Sequence, residues 1–189
     1  MKIVTIFETV KGCLLSVRYD AYDSDEFKRI MRNWNDAEYL ENYFEEHKGD
    51  LQNGYLRDMT IDEAIEITIF DANELESTLI EIAKKGIKDE TNTLQTLFEP
   101  LHRKEKTAYR IPTHPKSKFK GYAQDSWLRI YAIRIAPNVF VITGGAIKLT
   151  PDMNERDHLL EELQKLEITR KFLEDNDLFD ESDFEYLEL

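Results

Sequence analysis

The residues best suited to chemistry lie in one stretch, 101–150. It carries Arg103, Lys104, Lys106, Arg110, Lys116, Lys118, Lys120, Arg129, Arg134 and Lys148, interleaved with Tyr109, Phe119, Tyr122, Trp127 and Tyr131. Cations that hold phosphates, mixed with rings that stack on unpaired bases, are what recognition of single-stranded RNA requires. The same ten cations could instead neutralise acidic neighbours. Residues 1–100 hold 11 Lys or Arg against 22 acids, residues 101–150 hold 10 against 2, and residues 151–189 hold 4 against 14. The overall charge of −13 hides that asymmetry and argues against a protein coated in basic surface.

Other chemistries find little support. There is no P-loop, dinucleotide fingerprint, nucleophile elbow or His-Glu-x-x-His motif. Gly144-Gly145 joins two extended segments and opens no helix, so it reads as a strand bend or bulge. Acidic pairs such as Glu45/Glu46 and Glu161/Glu162 are adjacent on helices and point apart. One cysteine, Cys13, and four scattered histidines, His47, His102, His114 and His158, make no disulfide and no zinc pattern. No metal or other cofactor is expected. A lone cysteine fits a reducing compartment, so the expected location is cytoplasmic. No apolar run approaches the roughly 18 residues of a bilayer span, and Met1–Glu8 reads as a strand rather than a signal peptide.

The elements that must position the cationic stretch follow from periodicity. Ile3–Phe7 and Cys13–Tyr19 read as a hairpin turned at Val10-Lys11-Gly12. Asp25–Trp34 and Asp36–Lys48 read as helices, the second stopped at Gly49. Thr60 with Glu63 forms a capping box, and Asp71 with Glu74 a second capping pattern that opens a helix over 72–85. Residues 61–70 read as helix despite strand-like alternation, and Thr93–Leu101 as a short helix. Tyr109–Pro112 reads as extended and His114–Gly121 as a loop. Leu128–Ile135 and Val139–Thr143 form a hairpin across Ala136-Pro137-Asn138, and Ala146–Leu149 a further short strand. Thr150-Pro151-Asp152 then starts a helix to about Leu173.

The expected class is α+β, a small, mainly antiparallel sheet packed with helices. Residues 1–150 form the domain, and 151–189 an acidic C-terminal helical arm expected to fold back over the cationic sheet. Side chains alternate along a strand, so Arg129 and Tyr131 share a face while Arg134 lies on the other. Arg129 with Tyr131 is the better pair, and Lys148 on a neighbouring strand could join them.

Ser126-Trp127-Leu128-Arg129-Ile130-Tyr131-Ala132-Ile133-Arg134, a hairpin, and then Gly145-Ala146-Ile147-Lys148-Leu149-Thr150 resembles the C-terminal sheet of bacterial toxins of the RelE/HigB kind. The resemblance places the toxin-like core at about 60–150, with an N-terminal hairpin and helical addition. It implies a toxin of a toxin–antitoxin system that cuts messenger RNA on the ribosome without a metal and is silenced by a helix-turn-helix antitoxin. It also implies catalytic roles for Arg129, Lys148 and Tyr131, with Arg110, Tyr109, Lys116, Lys118, Lys120 and Arg134 binding RNA. The chain is about twice the size usual for that family and lacks an obvious general base. The alternatives are a non-catalytic, phage- or mobile-element-derived interaction protein on the same scaffold, and an enzyme gripping a small anion with Arg110, Arg129 and Lys148.

Overall fold

The computed structural model describes residues 1–52, 58–101, 116–121, 126–150 and 156–186. The protein is α+β, a six-stranded, mostly antiparallel sheet packed with five helices. Strands β1 (Ile3–Val10), β2 (Leu14–Tyr19), β3 (Glu99–Pro100), β4 (Lys116–Lys120), β5 (Leu128–Ala136) and β6 (Val139–Ile147) lie in the order β1-β2-β6-β5-β4-β3. The helices are α1 (Glu26–Trp34), α2 (Ala37–Glu46), α3 (Lys48–Leu51), α4 (Ile61–Gly86) and α5 (Asp157–Asp175).

Alternation along the strands builds two cores. Leu14, Leu128, Ile130, Ala132, Phe140 and Ile142 face α1, α2 and α4, contributing to a core with Ile30, Trp34, Phe44, Leu75 and Leu79. Leu15, Val17, Tyr19, Tyr131, Ile133 and Val141 face the other way, onto Leu159, Leu166 and Leu173 of α5. The acidic segment expected as an arm is therefore a third layer. It lies over the face that carries Tyr131, but what joins it there is an apolar stripe rather than complementary charge.

Several sequence expectations change in detail. Residues 61–86 form one helix, opened by the Thr60–Glu63 capping box. Asp71 is no cap. It is buried inside α4 and accepts a hydrogen bond from Ser126 Oγ, while Trp127 Nε1 donates to Thr68 Oγ1 at 3.0 Å. These bonds pin the start of β5 to the middle of α4. Thr93–Leu101 is not a helix; it contains a single 3-10 turn, Leu94–Thr96, and then β3. Part of the expected loop before Gly121 is β4. Gly49 lies within α3 instead of ending α2. Gly144-Gly145 does not divide two strands, because β6 runs through it with a register shift opposite Tyr131 and Ala132. The extended segment Tyr109–Pro112 and the helix start at 150–152 fall in or against stretches outside the described residues. The first described helical residue there is Asp157.

The feature that shapes the molecule is a fork in the sheet. β2 and β6 are its parallel pair, and their pairing covers only Leu14–Ser16 against Phe140–Ile142. Both strands continue, to Tyr19 and Ile147, without pairing to each other. Side chains from α1 and α5 meet across this fork. Lys165 Nζ donates to Glu26 Oε2 at 3.1 Å and to Glu162 Oε1 at 2.8 Å. Arg29 grips Glu26 from the other side, Nε to Oε1 at 2.7 Å and Nη2 to Oε2 at 2.8 Å. A side chain at Gly144 would collide with the Glu162 carboxyl and crowd that of Glu26, so glycine is required there by close approach.

Replacing Lys165 with methionine leaves Glu26 and Glu162 buried without their ammonium. The expected loss is about 3–5 kcal/mol, the usual result of breaking one side of a buried pair. Urea unfolding checks it; a loss below about 1 kcal/mol would mean that the fork does not depend on this contact.

Candidate functional site

The sequence-predicted residues are distributed over both faces of the sheet. Register sets Lys120 opposite Arg129 and Lys118 opposite Tyr131, so these four share the α5 face. Lys116 pairs in register with Ile133. Lys120 is exposed and Lys118 half-buried. The Arg129 guanidinium donates from Nη1 to the carbonyls of Ser126 and Leu128, each at 2.7 Å, and so turns toward the start of its strand. Lys148 Nζ donates to the Thr150 carbonyl at 2.9 Å. Arg134 lies on the opposite face, as alternation requires, and donates to Gln95 Oε1 at 3.1 Å. Arg110 and Tyr109 lie outside the described residues.

Tyr131 is the misfit. It is fully buried under α5, with its hydroxyl lacking a hydrogen-bond partner among the described residues, and burial pushes its pKa above the ordinary range. With α5 in place it cannot stack on a base or reach a phosphate. The expected pair therefore separates: Arg129 stays at the sheet's end and Tyr131 belongs to the core.

A cleft of 620 Å³ opens where the fork ends, a size ordinary for small-ligand sites. Its floor is Gly145–Ile147 of β6; α1 and α2 form one wall and the first turns of α5 the other. It lies at the carboxyl ends of the parallel pair, where a split between strands leaves room for a ligand.

Two histidines from distant parts of the chain meet in it. The His47 and His158 rings have centroids 5.1 Å apart, nearly perpendicular. Tyr43 stacks on His47, with centroids 4.3 Å apart, and meets His158 edge-on. The hydrogen bonds assign the tautomers. His47 Nδ1 lies 2.9 Å from the Tyr43 carbonyl, which only accepts, so the proton is on Nδ1 and the lone pair on Nε2. The Tyr43 hydroxyl donates to the Ile147 carbonyl at 2.8 Å. His158 Nε2, 3.2 Å from that hydroxyl and 3.3 Å from the same carbonyl, must then carry a proton, which leaves the lone pair on Nδ1. Burial lowers the His158 pKa, and His47 and Arg156 nearby add to the effect, so the neutral ring is favoured.

The charges around this pair are largely matched. Arg156 donates to both oxygens of Asp50 and holds its carboxyl below the usual range. Tyr22 donates its hydroxyl to Glu161 Oε1 at 2.8 Å. Glu162 is different. Burial pushes its pKa up to about 7, Lys165 opposes the rise and Glu26 adds to it. Its Oε2 has no hydrogen-bond partner among the described residues. For Lys165 burial disfavours the charge, and Glu162 and Glu26 outweigh that, leaving the ammonium held above its ordinary pKa.

Sequence reasoning missed this site because His47 and His158 stand 111 positions apart, one capping α2 and the other on α5 in a different layer. The one available signal was that Tyr43 and His47 fall on one helical face, together with Glu46. Among the described residues, no group of three or more His, Cys, Asp or Glu is placed to hold a metal ion, and no helix is long and apolar enough to cross a membrane.

The raised pKa of Glu162 has a direct consequence for stability. Because the folded state holds this proton more tightly than the unfolded chain, the group stabilises the fold at low pH. That contribution is complete below about 4.5 and is lost as pH rises through about 7. Comparing urea unfolding of the parent with Glu162→Gln between these pH values should show the parent losing ground steadily as pH rises. A constant difference would contradict the assignment.

Comparison with known proteins found no match: no family model, no curated protein and no solved structure is similar to the chain.

Proposed function

We propose that the protein is a toxin-like ribonuclease of a toxin–antitoxin pair, cutting RNA without a metal, with its acid–base chemistry in the cleft rather than at Tyr131. The observation that carries this reading is the His47–His158 pair, with lone pairs on opposite kinds of ring nitrogen, at the end of a cationic row. Register places Lys120, Arg129 and Ala146 side by side on three strands, and Ala146 lines the cleft. Lys148 follows the end of β6 at the same end of the sheet. A phosphodiester backbone held along that row would lead a ribose to the cleft. The two segments that resemble the toxin sheet form adjacent antiparallel strands, which supports the toxin side of the reading.

The reaction is a transesterification. His158 Nδ1, kept neutral by burial, takes the proton of the ribose 2′-hydroxyl as its oxygen attacks phosphorus. The P–O5′ bond breaks, and the leaving oxygen receives a proton that the His47 Nε2 lone pair has first taken up from solvent. The products are a 2′,3′-cyclic phosphate and a 5′-hydroxyl. Arg129 and Lys148 keep the phosphate-stabilising role expected of them, by charge rather than as acids or bases.

Single-stranded RNA incubated with the purified protein in excess chelator should yield cyclic phosphate ends. His158→Ala should lower the rate about 10²–10⁴-fold, the range usual for losing a general base. Arg129→Ala should weaken RNA binding and reduce its salt dependence. Induction in a bacterium should arrest growth for the parent and not for His158→Ala. Cleavage undiminished in His158→Ala, or none by the parent, would reject the reading; in the second case the interaction protein becomes the better account.

A further inference from the structure

The cleft carries a second message, about what it reads. Tyr39, Asn42, Tyr43 and Glu46 fall on one face of α2, and all four line the cleft. Tyr39 is 39% exposed, a large ring half open to solvent. Glu46 is exposed and makes no hydrogen bond or ion pair among the described residues. On the facing wall Glu162 turns its unpartnered oxygen away, against Gly144 in the fork, so Glu46 is the carboxylate that a newcomer meets.

The cations there are already matched by acids, Arg29 by Glu26, Arg156 by Asp50 and Lys165 by Glu26 and Glu162. What remains for a newcomer is aromatic surface and acceptor oxygens. A phosphate laid against Glu46 would be repelled. A flat ring bearing N–H donors would stack on the tyrosines and donate to the carboxylate.

The four RNA bases differ in this respect. Guanine presents two neighbouring donors, N1–H and N2–H, on its pairing edge and can satisfy both oxygens of one carboxylate. Adenine and cytosine place an acceptor beside their single amino group, and uracil flanks its one N–H with two acceptors. Each of those acceptors would face a carboxylate oxygen and be repelled by it.

We propose that the cleft reads an unpaired guanine, with Tyr39 as the stacking surface and the Glu46 carboxylate as the group that recognises the N1–H and N2–H edge. This deepens the ribonuclease reading by naming the base at the site, and it rests on the cleft meeting RNA. The scissile phosphate then sits at the two histidines and its neighbours follow the cationic row, while the Glu46 side of the cleft serves the base. That division explains how an acidic cleft and a basic strand can serve one substrate.

Calorimetric titration with the four nucleoside 5′-monophosphates tests the proposal without relying on cleavage. The parent should bind guanosine monophosphate at least tenfold more tightly than the other three. Glu46→Gln should remove that preference while leaving thermal unfolding unchanged, since the side chain is exposed. Tyr39→Ala should weaken all four nucleotides together. Equal affinity for the four, binding by none of them, or a preference untouched in Glu46→Gln would overturn the proposal. Cleavage of RNA with no guanine preference would discard the guanine reading and leave the acid–base site standing. A guanine preference in a protein that cleaves nothing would do the reverse.

Discussion

A lysine ammonium with almost no access to water links the helix layers on the two faces of this protein's sheet. Lys165, its side chain 1% exposed, reaches from α5 through the fork between β2 and β6 to Glu26 at the start of α1. A buried charge is tolerated only when matched and hydrogen-bonded. Here two carboxyls, Glu26 and Glu162, face it, and Arg29 pairs with Glu26 as a second cation. The contact is the reason the fork can exist. Parallel strands that part expose backbone and leave a gap, and the gap is filled by these side chains beside Gly144. Tyr19 secures the same place, with its hydroxyl shared among the Thr169 side chain and the Thr143 and Lys165 carbonyls.

The cleft is a by-product of that architecture. Because the fork admits helices from both layers, its walls come from α1 and α2 on one side and α5 on the other, over a floor supplied by the end of β6. The histidines take fixed tautomers from neighbours that are themselves fixed: one carbonyl within α2, and the Ile147 carbonyl through Tyr43. An acid–base pair needs this kind of support, since proton transfer depends on which nitrogen holds the lone pair. On the proposed reading Glu46 on the α2 wall draws the base, while the scissile phosphate meets the histidines and its neighbours follow the cationic row.

Much of the frame was legible in the sequence. The β1–β2 hairpin, α1 and α2, and the β5–β6 hairpin follow from period and turn chemistry, and strand alternation correctly separated Arg129 from Arg134. The failures have physical causes. Asp71 resembles a cap in sequence, yet the buried Ser126 just before β5 makes it a helix-interior acceptor. Gly144-Gly145 was read as a bulge between two strands; the register shift is there, but β6 runs on through it, with Gly144 making room for Glu162 and Gly145 for the Arg129 carbonyl. Tyr131 was placed on the correct face and an acidic helix was expected over the sheet, but periodicity within a strand does not tell that the leucines of that helix, rather than its acids, would bury the ring. The His47–His158 pair was illegible for the same reason: only the packing of layers brings those residues together.

The most direct test of the account is long-range ¹H–¹⁵N correlation NMR of the histidine rings in the intact protein near neutral pH. His47 should appear as the Nδ1–H tautomer, which is the rarer one in solution, and His158 as the Nε2–H tautomer, with the His158 ring remaining neutral to lower pH than an exposed histidine. Two Nε2–H rings titrating like free imidazoles would contradict the claim that the fork holds a preorganised acid–base pair.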